Sequence, residues 1–63
     1  MENLNQQLKD VIQAITSVKS RAKAALEAGD LATHAERMFD LFALYSIQHS
    51  LLLEIEETER RVA

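Results

Sequence analysis

The sequence predicts an all-α fold, an antiparallel hairpin of two helices that pack like a short coiled coil. Three observations lead to this fold class: an abundance of helix-forming residues with no proline, an apolar heptad pattern in the first half, and a single Gly-Asp turn. With 63 residues, the chain forms one domain, residues 1–63. Because a domain this small buries little apolar surface, we expect oligomerisation or a partner protein to complete it into a helical bundle.

The first helix is predicted over about residues 2–28. Its apolar residues recur in alternating steps of four and three, which is the spacing of a coiled-coil seam. The seam consists of Leu4, Leu8, Val11, Ile15, Val18, Ala22 and Ala25. Since its side chains become smaller towards the turn, the two helices should approach each other most closely there.

The turn is predicted at residues 29–30. Gly29 suits the left-handed position that follows a helix C-terminus, and Asp30 suits the N-cap of the next helix. The second helix is therefore predicted over about residues 31–61, although Thr33 and Glu36 form a capping box that offers a second possible start. A connection this short makes the helices antiparallel neighbours.

The second helix carries two apolar stripes, more than one neighbouring helix can cover. The first stripe runs through Leu31, Ala35, Met38, Phe42, Tyr45 and Leu52. We expect this stripe to face helix 1, so that the intra-hairpin core comprises Leu8, Val11, Ile15, Val18, Ala22, Met38, Phe42 and Tyr45. The second stripe is then left for a partner chain, and the predicted partner-binding residues are Leu44, Ile47, Leu51 and Ile55.

The charges predict ion pairs and a mode of dimerisation. Antiparallel packing should bring Lys19 towards Asp40 and Lys23 towards Glu36, while Glu56–Arg60 and Glu57–Arg61 have the i,i+4 spacing of helical pairs. A second hairpin docked head-to-tail would bring the basic turn end to the acidic open end, so a homodimer is the favoured oligomer.

Composition and motifs argue against catalysis. The net charge of −3 disfavours nucleic-acid binding, and the stretch 38–55 contains too many polar residues for a membrane span. There is no cysteine, and His34 and His49 are too few and too far apart for a metal site. We therefore expect a soluble cytoplasmic protein with no catalytic residues, no cofactor and no metal. His49 interrupts the first stripe, where it either sets the register of helix pairing or is solvated.

Two families share features of this chain. The pattern Met1-x-x-Leu4-x-x-Gln7-Leu8, the Gly29-Asp30 turn and the Ala- and Leu-rich second helix resemble the needle co-chaperones of type III secretion systems. The segment 26–31, Leu-Glu-Ala-Gly-Asp-Leu, with Phe39 and the segment 58–62, resembles the exonuclease VII small subunit. Both resemblances imply a non-catalytic chaperone, adaptor or accessory hairpin; a homo-oligomeric bundle with a regulatory or structural role is the alternative.

Overall fold

The computed structural model describes residues 3–62 and contains two α-helices, α1 (Leu4–Glu27) and α2 (Leu31–Val62). They pack side by side as an antiparallel hairpin about 50 Å long, which confirms the predicted fold class. The predicted limits, 2–28 and 31–61, agree with these bounds to within two residues. Residue 2, the predicted first residue of helix 1, lies outside the described part of the chain.

The helix ends follow from local hydrogen bonding. Asn3 caps α1, since its side chain accepts a hydrogen bond of 2.7 Å from the backbone N–H of Gln6. At the other end Gly29 has a φ of +76°, and its N–H donates to the carbonyl of Leu26, while the N–H of Asp30 donates to the carbonyl of Ala25. These two bonds form a Schellman motif, as the glycine predicted.

The second helix begins at Leu31. The Asp30 carboxylate accepts a hydrogen bond of 3.1 Å from the backbone N–H of Thr33, so Asp30 is the N-cap. The alternative start at Thr33 is not used. Hydrogen bonds from the side chain and the backbone N–H of Thr33 lower the pKa of Asp30 below its ordinary value of 3.8.

The seam of α1 packs as predicted. Ile15, Ala22 and Ala25 are buried, and the other four members, Leu4, Leu8, Val11 and Val18, are half-buried. The two alanines nearest the turn are 4% and 8% exposed, which agrees with a close approach of the helices at this end. Ile12 and Leu26, beside the seam, remain about half exposed.

The face that α2 turns towards α1 is not the predicted one. Apart from Thr33 and Met38, its buried and half-buried residues follow alternating steps of three and four: His34, Arg37, Leu41, Leu44, Gln48, Leu51 and Ile55. We call this set the packed seam. The prediction that Phe42 and Tyr45 belong to the intra-hairpin core is wrong, because they are 64% and 40% exposed; Met38, at the edge of the packed seam, is half-buried.

The difference is a rotation of α2 by about one residue, or roughly 100°. The packed seam was hidden in the sequence because three of its members, His34, Arg37 and Gln48, are polar. Long polar side chains have apolar stems that can pack while their heads reach an edge. Arg37 does so: its guanidinium donates to Asp40 at 3.1 Å, although its Nε is buried without a partner.

The ion pairs of α2 are local. Glu56–Arg60 and Glu57–Arg61 form at 2.5 and 2.7 Å, as their spacing predicted. The expected pairs between helices, Lys19–Asp40 and Lys23–Glu36, are not among the ion pairs of residues 3–62, and Asp40 pairs with Arg37 instead. The sequence predicted an approach of these residues, and no ion pair forms between them.

Candidate interface on the second helix

An apolar stripe of α2 lies uncovered along the hairpin. It consists of the predicted first stripe with His49, and all of its members except the half-buried Met38 are exposed: Leu31, Ala35, Met38, Phe42, Tyr45, His49 and Leu52. We call this set the uncovered seam. Leu31 and Phe42 are about two-thirds exposed and Leu52 is 47% exposed, and Phe39 beside them is 72% exposed. Large apolar side chains gathered on one face in this way are typical of interfaces.

The uncovered seam borders a groove between the two helices. The groove has a volume of about 410 Å³. It is lined by Lys19, Ala22, Lys23 and Leu26 of α1 and by His34, Met38, Leu41, Phe42 and Tyr45 of α2. Its floor is therefore apolar, and its α1 edge carries two lysines. A smaller concavity of about 280 Å³ continues around α2 between Ala35, Met38, Phe39 and Phe42.

His34 fixes the helices against each other at the turn end of this groove. Its Nδ1 lies 2.9 Å from the backbone carbonyl oxygen of Ala22, so the ring donates an Nδ1–H hydrogen bond across the hairpin. His49, the other histidine, is exposed, which matches the solvated alternative for this residue.

The four predicted partner-binding residues do not share an uncovered face. Leu51 is 7% exposed, and Leu44 and Ile55 are half-buried on the same side of α2, in the packed seam. Only Ile47 is largely accessible, at 48%. The assignment of this stripe to a partner is therefore corrected: the two stripes of α2 exchange roles, and the surplus of apolar surface on α2 remains.

The sequence did not identify Lys19, Lys23 and His34 as residues of a candidate interface. Sequence reasoning placed Lys19 and Lys23 near acidic residues of helix 2 and considered His34 only as a metal ligand. The sequence does contain a signal for the packed seam. When its polar members are counted together with Leu41, Leu44 and Leu51, the alternating spacing of three and four is unbroken over three heptads.

Other kinds of site find no support in residues 3–62. No group of three or more histidine or acidic side chains is arranged to hold a metal ion in this part of the chain. Neither of the two helices, as described, is long and apolar enough to cross a membrane. No protein-family model matches the chain, and no curated protein or solved structure is significantly similar to it.

Proposed function

We propose that this protein is a small non-catalytic interaction module of the cytoplasm, which binds a further helical chain through the uncovered seam of α2. The supporting observation is the exposure of Phe42, Phe39 and Leu31, each at 64% or more, on one continuous face. Burying a large apolar side chain contributes about 1.5–3 kcal/mol. A single helix laid along this face would cover several of them and add a third helix to the bundle.

The groove restricts which helices would fit. Its apolar floor accepts the apolar side chains of an amphipathic helix, and Lys19 and Lys23 at its edge favour acidic residues beside them. An adaptor, chaperone or accessory subunit of a larger assembly would use such a surface. This role is also what the resemblances to needle co-chaperones and to the exonuclease VII small subunit imply.

Site-specific photocrosslinking tests this proposal. A photoreactive phenylalanine analogue replaces Phe42 in the full chain, and a matched variant carries it at Glu54, which is exposed and lies roughly 120° around α2 from Phe42. Irradiation in the cells that produce the protein should yield discrete protein adducts at position 42 and not at position 54. Equal labelling of both positions, or no adduct at position 42, would contradict an interface on the uncovered seam.

A further inference from the structure

The uncovered seam extends beyond its apolar part to the open end of the hairpin. In the same alternating steps, it passes from Leu52 to Glu56 and Glu59. Glu59 is exposed, and within residues 3–62 the ion pair of Glu56 is with Arg60 of its own helix. The seam is therefore apolar in the middle and acidic at the open end, while Lys19 and Lys23 border it at the turn end.

This arrangement is self-complementary. When two copies of α2 lie antiparallel with a two-fold axis at the level of residue 47, the spacing of the seam sets Phe42 opposite Leu52 and Tyr45 opposite His49. Met38 and Ala35 then face Glu56 and Glu59 of the second copy. Since Lys19 lines the same groove as Met38 and Phe42, it lies at the level of the second copy's acidic residues.

We infer that a second copy of this chain covers the uncovered seam, in an antiparallel dimer in which Lys19 and Lys23 of each copy meet Glu56 and Glu59 of the other. The inference rests on the proposed function and names its partner. The C-terminal part of α2 is itself the acidic amphipathic helix that the groove favours. The contact from residue 35 to residue 59 is about 36 Å long, which exceeds three heptads, the length over which a sustained heptad pattern indicates a coiled coil.

The arrangement is isologous, so each charge contact occurs twice. Opposite charges across such a seam set both partner choice and orientation, as charged residues at the flanks of coiled coils do. An antiparallel orientation satisfies both ends at once. A parallel orientation would place lysines against lysines and glutamates against glutamates, which disfavours it.

A charge exchange between two variants tests the dimer. The variants are Lys19→Glu with Lys23→Glu, and Glu56→Lys with Glu59→Lys; all four side chains are exposed. Each variant alone should dimerise more weakly by roughly tenfold or more, because like charges meet at both ends. An equimolar mixture should restore dimers, since in the mixed dimer both ends again pair opposite charges. Sedimentation equilibrium measures the association, and circular dichroism confirms that each variant is helical.

Arg21→Glu is the matched control. It reverses one positive charge near the turn end, where the double variant reverses two, at an exposed position that does not line the groove, and it should leave dimerisation unchanged. A wild-type chain that stays monomeric at tens of micromolar, or a mixture that fails to recover dimers, would overturn the inference. The photocrosslinking result keeps the two proposals apart: an adduct at position 42 with the mass of two chains supports the dimer, whereas an adduct of another mass retains the interaction module and refutes self-association.

Discussion

Two adjacent leucines provide a direct test of which face of α2 packs on α1. Leu51 is 7% exposed in the packed seam, whereas Leu52, one residue further on, is 47% exposed in the uncovered seam. The perturbation is the substitution of each leucine by alanine, which removes the same atoms from the same helix turn. Any difference between the two variants therefore reports position and not helix propensity or composition.

The expected losses follow from burial. Truncating a buried leucine costs about 2–5 kcal/mol, and a thin two-helix hairpin can partly close the space, which puts Leu51→Ala near the lower end, about 2–3 kcal/mol. Leu52 buries only roughly half of its surface in the hairpin, so the loss of unfolding free energy for Leu52→Ala in the isolated hairpin should not exceed about 1 kcal/mol. A domain of this length has a free energy of unfolding of roughly 3–9 kcal/mol, so the loss at Leu51 is a large part of the total.

The assay is urea denaturation followed by circular dichroism over a series of protein concentrations. The loss at Leu51 should be present at the lowest concentration, because this side chain packs within one hairpin. The loss at Leu52 should grow with concentration, because a dimer buries this side chain only when it forms. Equal losses in dilute solution, or a greater loss for Leu52, would refute the rotation of α2 described above.

Two further predictions concern polar groups of the hairpin. His34→Ala should lower the free energy of unfolding by about 1 kcal/mol, because the hydrogen bond to Ala22 is lost. His49→Ala, at an exposed position, should change the free energy of unfolding by less than about 0.5 kcal/mol. Urea denaturation of the two variants side by side tests this, and similar effects would contradict the role of His34. The ionised Asp30 carboxylate stabilises the hairpin at pH values above its ordinary pKa of 3.8, and this contribution should be lost as the pH falls below that value through the lowered pKa of the folded state. Between about pH 5 and about pH 2, the melting temperature of Asp30→Asn should therefore fall less than that of the unmodified chain. Melting temperatures that fall in parallel would argue against the cap.

The local features of this fold could be predicted because each depends on neighbours in the sequence. Gly29 adopts the positive φ that ends α1, and Asp30 caps α2 through a residue three positions away. The pairs Glu56–Arg60 and Glu57–Arg61 likewise depend only on helical spacing.

The candidate site was less predictable. Sequence pattern indicated that α2 carries more apolar surface than α1 can cover, and the structure agrees. The sequence pattern assigned this surplus to the wrong stripe. Residues were assigned to the core by side-chain type, and the polar members of the packed seam made that seam look solvent-exposed. Phe42 and Tyr45 looked like core residues for the same reason, although they line an open groove.

The sequence by itself determined that this chain forms two helices, that they turn at residues 29–30, and which face of α1 is buried, since a heptad seam with no competing stripe allows one face only. Only the tertiary structure decided which face of α2 meets that seam. Two stripes on α2 differ by one residue in register, and each would bury several large apolar side chains. The choice between them depends on contacts between residues far apart in the chain, such as the hydrogen bond from His34 to the carbonyl of Ala22, which no local pattern contains.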